Sequence, residues 1–402
     1  MKDVLYHTVG ELVHKYRRDA GMTLSKLSEL SGIPKGTISR IENGNVKKPE
    51  FQTVGPLAAT LGISFEDVVD RYIHMEKRAD PLLMILQSVI PNGNVELSEK
   101  VALRFLESPS EDSYDLVERL FTLTNTVEDK KVRLALYRMI TNHSRDHGIG
   151  LFLAKGLFYS YLIERDDFSK LESTYHSGRH VLQYIRFLSD EERLSLHYKL
   201  GVHAYNLMKY KDCAALCEYI VINDKTRSKV KANALYAAGL AYYELGNYDK
   251  LESYLQEYGT YPYPDVEQNK KMTTALINSR KGNMEEAIEQ LCELLPKARA
   301  NNILLIITRL FEIYLQTNNV QKATQLLAFE AVLEKTPLQT PISRSQLAYF
   351  YRLKGVLLCT LNQSYNALDS FYQSAVHYSK ISQFDEIMKS LNMGAVVEHI
   401  GT

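Results

Sequence analysis

LSKLSELSGIPKGTISRIENGNVKKPEFQTVGPLAATLGIS, running from Leu24 to Ser64, decides the first domain. Upstream of it, Val9, Leu12, Val13 and Tyr16 recur at the spacing of one helix face, so a first helix is expected from Val9 to about Ala20. Gly21 ends it, and Thr23 stands where an N-cap hydroxyl would satisfy the free amides of a second helix, Leu24 to Leu30, with Leu24, Leu27 and Leu30 as its buried face. After Ser31 and Gly32 a third helix starts near Pro34, tolerated in a first turn because its missing amide proton has no partner there, and runs to about Asn43 before Gly44. Two short helices joined by a tight glycine turn, the second with small and polar residues outward, make a helix-turn-helix. Ile38 and Ile41 face the core of the third helix, and Lys35, Gly36, Ser39 and Arg40 lie on the side that would enter a major groove.

The charge pattern agrees with a local DNA contact. The 402-residue chain carries 48 basic and 48 acidic side chains, so the molecule as a whole has no electrostatic pull on a polyanion. Between residues 35 and 48, however, Lys35, Arg40, Lys47 and Lys48 stand against Glu42 alone.

The quoted stretch resembles the Cro/C1-type repressor fold of the XRE family, and the resemblance spans roughly Val9 to Val69, including the IENG turn and the LAATLGIS helix. It implies Lys35, Ser39 and Arg40 as base-edge readers, with Arg40 suited to guanine O6 and N7. Thr37, Asn43, Lys47 and Lys48 are then placed for phosphates, which fix register without reading sequence. Gly36 stands where many relatives carry a polar reader, which leaves the target sequence open. Arg17 and Glu42 match positions that pair between the first and third helices in that family.

Beyond the fifth helix, His74, Glu76, Lys77, Arg78 and Asp80 form a polar stretch before Pro81. The expected organisation is a DNA-binding domain over 1–72, a linker over 73–81 and a repeat domain over 82–402. Helical patterns follow with turns at Pro91-Asn92-Gly93, Ser108-Pro109 and Gly148, and no strand-like alternation. KANALYAAGLAYYELGNYDKLESYL at 231–255 fits the tetratricopeptide pattern, with Gly239 at the close helix contact and Gly246 in the turn. The small or contact residues Gly201, Gly239, Ala275, Phe311 and Gly355 are spaced 38, 36, 36 and 44 apart. A weaker, longer unit is expected around Gly156, Phe168, Leu171 and Tyr175. The fold class is therefore all-α: a helix-turn-helix domain followed by a right-handed α-solenoid.

First helices of such repeats line a concave groove suited to peptides. The expected groove residues are Tyr198, Val202, Tyr205 and Asn206 in one repeat, Asn233, Tyr236, Leu240 and Tyr243 in the next, and Asn269, Met272, Leu276 and Ser279 in the third. Asparagine amides both donate to and accept from a peptide backbone, while tyrosine faces and Leu or Met pockets take side chains.

This combination resembles the RNPP family of Gram-positive quorum-sensing regulators, above all its NprR- and PlcR-like members. The resemblance implies a double-stranded DNA operator, a short re-imported signalling peptide in the groove, and a homodimer or ligand-switched oligomer. On that reading the solenoid changes curvature around the peptide and moves two DNA-binding heads relative to each other. Headless relatives, the Rap proteins, imply an alternative in which the repeats bind a protein client such as a response regulator.

Other classes are disfavoured. There is no Gly-rich phosphate loop, HExxH or GxSxG, so the chain is read as a non-enzyme without cofactor. Cys213, Cys217, Cys292 and Cys359 lie in helical patterns without CxxC spacing and are read as reduced core thiols, with no metal site. No apolar run is long enough for a membrane span and the N-terminus lacks a secretory signal, so a cytoplasmic location is expected.

Overall fold

The computed structural model describes residues 8–46, 48–298, 300–335, 338 and 340–400; for 300, 301 and 398–400 it describes the backbone alone. Lys47 lies outside the described residues. The described residues are helical and divide into two units, 1–164 with 181–188, and 165–180 with 189–402. Among them, no helix is long and apolar enough to cross a membrane.

In the first unit, α1 (Val9–Asp19) begins with a capping box in which Thr8 and Glu11 satisfy each other's backbone amides. Thr23 accepts from the Lys26 amide at the start of α2 (Leu24–Ser31), and Gly32, at φ 72°, turns the chain toward α3 (Lys35–Glu42). Pro34 is the N-cap of α3, one place earlier than a first-turn position. Leu30 is not part of the buried face: it is 52% exposed. The stripe that packs inward is Leu24, Leu27, Ser28 and Ser31, spaced i, i+3, i+4 and i+7, and Leu30 falls outside it. Helices α4 (Phe51–Leu61) and α5 (Phe65–Met75) complete the domain.

The connection to α6 (Ala79–Val89) is only three residues long. The buried Glu76 carboxylate organises it, accepting the Lys77 and Arg78 amides, the Arg78 guanidinium and the Lys48 ammonium. The turn after α7 (Val95–Leu106) adds two ties, Ser108 Oγ to the Lys77 carbonyl and the Ala79 amide to Ser110 Oγ. One apolar core runs from Val9 through α6, α7, α8 (Ser113–Thr124), α9 (Lys130–Asp146) and α10 (Gly150–Glu164) as far as Phe152.

The second unit takes in most of α11 (Leu171–Val181) and five antiparallel pairs: α12 (Asp190–Asn206) with α13 (Tyr210–Asn223), α14 (Lys229–Glu244) with α15 (Tyr248–Tyr258), α16 (Val266–Lys281) with α17 (Met284–Leu294), α18 (Ala300–Gln316) with α19 (Val320–Gln325), and, after α20 (Glu330–Glu334), α21 (Pro341–Thr360) with α22 (Ser364–Ser379). Helix α23 (Phe384–Ile400) follows. Left-handed backbone at Met208, Gly246, Gly282, Asn318 and Asn362 marks the turn inside each pair, and these positions repeat at the same 38, 36, 36 and 44 residue spacing as the contact residues. The contacts are tight where the register requires. A Cβ on Gly201 would stand 2.6 Å from Cys217 Sγ, and one on Gly355 would stand 2.7 Å from the Phe371 ring.

Two expectations need correction. Gly156 does not share a repeat with Phe168, Leu171 and Tyr175: it packs backward onto α9, where its Cβ would meet Thr141 Oγ1 at 2.4 Å, and the other three belong to the second unit. Nor are all the cysteines core residues. Cys213 and Cys217 are buried, Cys359 is half-buried and Cys292 is exposed on α17.

Candidate nucleic-acid interface and ligand groove

Helix α3 is held from behind by three contacts. The Arg17 guanidinium makes a two-pronged pair with Glu42, Nε to Oε1 at 2.6 Å and Nη2 to Oε2 at 2.7 Å, and its Nη1 donates to the Met22 carbonyl at 2.8 Å. Both side chains are nearly sealed, 10% and 5% exposed, and the hydrogen bond to Glu42 raises the arginine's pKa. Ile38 and Ile41 are buried beneath the helix. The third contact involves a residue that the sequence reading passed over, Gly10, where a Cβ would lie 2.1 Å from the Ile41 carbonyl oxygen. Backbone cannot move away cheaply, so Gly10→Ala should push α3 off α1, costing about 1–3 kcal/mol. Faster hydrogen exchange across residues 35–42 in that variant checks this; unchanged exchange would contradict it.

On the opposite side, Lys35, Gly36, Arg40 and Asn43 are exposed, with Thr37 and Ser39 half-buried between them. Asn43 donates to Ser39 Oγ at 3.3 Å, which ties a phosphate candidate to a base-reading candidate. Lys35 and Arg40 make no ion pair among the described residues. Lys48 is turned toward Glu76 at 3.4 Å, so an intramolecular carboxylate competes with any phosphate for it.

In the second unit, side chains from α12 through to α21 line a cleft of about 530 Å³. Eight of the expected groove residues meet there: Tyr205, Asn206, Tyr236, Leu240, Tyr243, Asn269, Met272 and Leu276. Four do not line it: Tyr198 and Asn233, which hydrogen-bond each other, and the half-buried Val202 and Ser279. Two asparagines already spend a donor, Asn206 on the Val202 carbonyl and Asn269 on Tyr258 Oη, and Tyr258 also stacks on Tyr236 at 5.1 Å. Each amide keeps one N–H and its oxygen for another partner.

The sequence reading missed Phe168, Glu244, Asn302, Leu305, Arg309, Thr340, Ile342, Ser343 and Gln346. A signal existed for three: Asn302, Leu305 and Arg309 repeat on α18 the i, i+3, i+7 pattern of Asn269, Met272 and Leu276 on α16. Thr340, Ile342, Ser343 and Gln346 come from the N-cap and first turns of α21, after the long fourth interval. Arg309 pairs with the buried Glu312 at 2.8 Å, and Glu312 also accepts from Tyr349 Oη. Glu244 lines the cleft and is exposed to solvent. Partial burial raises its carboxyl pKa against the opposing pull of Arg309 and Arg280. A second opening, sharing Phe168 and Thr340 with the cleft, carries Lys209, Arg344 and Lys380.

Comparison with known proteins supports the fold of both parts. Residues 13–68 match the helix-turn-helix family HTH_3. Three Bacillus subtilis proteins are similar: the uncharacterized regulator RghRB, 34% identical over 67 residues; SlrR, 24% over 130; and SinR, 31% over 62. These stretches are 17%, 32% and 15% of this chain and 48%, 74% and 56% of the relatives, so the chain spans about half the length of RghRB and SinR. A tetratricopeptide repeat protein from Parabacteroides merdae aligns with TM-score 0.50 at 16% identity, over 68% of this chain and 98% of its own, which shows the repeat fold. Looser likenesses are a Rap protein complexed with competence and sporulation factor (TM-score 0.43, 10% identity, 80% and 98% covered) and Bacillus thuringiensis PlcR with the peptide PapR7 and DNA (0.29, 13%, 96% and 100%).

Proposed function

We propose that this chain, an XRE-type helix-turn-helix domain joined to tetratricopeptide-like repeats, is a sequence-specific transcriptional regulator of the RNPP kind, its operator binding or oligomeric state controlled by a short peptide in the concave cleft. The observation that carries the reading is the exposed face of α3: Lys35 and Arg40, free of intramolecular ion pairs among the described residues, on a helix fixed by the sealed Arg17–Glu42 pair. A reading helix needs both features, since donors must reach base edges and their scaffold must not yield. The cleft supplies the other half. Asn206, Asn269 and Asn302 offer amides for an extended main chain, and Tyr236, Leu240, Met272 and Leu276 offer stacking and apolar contact for its side chains.

A peptide shifts DNA affinity only by as much as it distinguishes the DNA-competent state from the other, so coupling is reciprocal: DNA changes peptide affinity by the same factor. The test is binding of the purified chain to DNA flanking its own gene, across a salt titration, with and without peptides encoded by neighbouring small reading frames. Specific binding should weaken steeply with salt, and Arg40→Ala should cost about 1–3 kcal/mol and relax preference at one base position. A peptide that leaves both operator affinity and oligomeric state unchanged would overturn the coupling. Absence of any specific DNA binding would overturn the regulator reading itself.

A further inference from the structure

The end of α5, the start of α6 and the segment leading into α4 meet around a hollow of about 380 Å³ that lies wholly within the first unit. Much of its lining is apolar. Tyr72 and Ile85 are buried there, and the Tyr72 hydroxyl donates to the Pro49 carbonyl at 2.6 Å, which occupies its polar end and leaves the ring as apolar surface. Phe51 stands edge-on to that ring at 5.1 Å, and Met84 joins the wall with 56% of its surface in water, so apolar area stays uncovered in a concave place. Four charged residues also line the hollow: Lys48, Glu50, Glu76 and Arg78. Two of them cancel. The buried Glu76 carboxylate accepts from Arg78 Nε at 3.1 Å and Nη2 at 2.9 Å as well as from two backbone amides. Lys48 keeps only a long contact to Glu76, 3.4 Å, and Glu50 makes no ion pair among the described residues. Exposed Lys48 and Glu50 flank the buried Pro49, so a loosely held ammonium and an uncommitted carboxylate stand two residues apart beside an apolar hollow.

We propose that this hollow binds a free apolar α-amino acid, its side chain among Phe51, Tyr72, Met84 and Ile85, its carboxylate on Lys48 and the uncommitted Nη1 of Arg78, and its ammonium on Glu50. Three features select that class. The hollow lies at the small end of the roughly 300–1,000 Å³ typical of ligand pockets, enough for a metabolite but not for an extended peptide. Once the Glu76–Arg78 pair is discounted, one charge of each sign remains, which complements a zwitterion and sets a repelling charge against a plain fatty acid or a plain amine. Lys48 and Glu50 are also exposed, so they can meet a hydrated ammonium and carboxylate without the cost of burying a charge. Lys48 is a phosphate candidate as well, so an occupied hollow would withhold it from DNA. That consequence rests on the regulator reading; the binding does not.

The test is isothermal titration of the full chain with L-leucine, L-methionine and L-phenylalanine, each beside its N-acetyl form, which lacks the ammonium, and its amide form, which lacks the carboxylate. At least one of the three should bind at a single site with Kd below about 1 mM, and its N-acetyl and amide forms about 10-fold or more weakly. Met84→Glu puts a charge into the apolar wall at a solvent-facing position, and should weaken binding by about 10-fold or more with helicity and melting temperature unchanged. If that variant misfolds, Glu50→Gln should show the loss instead, since the Glu50 side chain makes no cap hydrogen bond to α4 and the helix does not need it. Met388→Glu, at an exposed site on α23, should leave binding intact. No heat from any of the three amino acids up to about 10 mM would overturn the proposal. So would equal binding of the N-acetyl or amide form, or binding indifferent to folded variants at Met84 and Glu50, which would put the ligand elsewhere, the concave cleft included. Neither DNA nor peptide enters the titration, so failure of the regulator reading is a separate result.

Discussion

Replacing Arg17 by alanine should destabilise the helix-turn-helix by about 3–5 kcal/mol, because it strands the Glu42 carboxylate, 5% exposed, without its counter-charge. The Met22 carbonyl loses its donor in the same step. Lysine should rescue little, since one ammonium cannot form both prongs to Glu42 and also reach Met22. Replacing both partners together, Arg17→Met with Glu42→Leu, should recover much of the loss, because no buried charge is then left unpaired. A chain with two units does not unfold in one step, so the measurement is native-state hydrogen exchange over residues 9–73. A loss below about 1 kcal/mol in Arg17→Ala would place the pair among surface ion pairs of little consequence.

Glu76 should make the first unit sensitive to acid. Its carboxyl is held at about 2, first by the Arg78 guanidinium, then by the Arg78 and Lys77 amides and the Lys48 charge, with burial opposing. Because the folded value lies below the unfolded one, the contribution is complete above the ordinary carboxylate range and disappears as pH falls from about 4.5 toward 2. Glu76→Gln should cost on the order of 2 kcal/mol at neutral pH. It should also flatten the acid dependence of amide protection between residues 65 and 89, since the variant has no carboxyl to protonate at position 76. Equal slopes in wild type and variant would show that other carboxylates carry the acid response. The same substitution frees Lys48, so a gain in salt-sensitive DNA affinity in Glu76→Gln would reveal competition between Glu76 and phosphate.

By itself the sequence determined the all-α class, the three helices around the glycine turn, the inward Ile38 and Ile41, and the repeat register. These are local quantities: helical period, cap hydroxyls such as Thr23, and glycines at left-handed turns each act within a few residues. Tertiary structure decided what depends on residues far apart in the chain. It seals Arg17 against Glu42 across 25 positions, sets Gly10 against the Ile41 carbonyl and draws Lys48 to Glu76. It also excludes Tyr198 and Asn233 from the cleft while admitting Arg309 and Ser343. A helical period states which side chains share a face, but whether that face meets a core, a cleft or water depends on the packing of neighbouring helices, as exposed Leu30 shows.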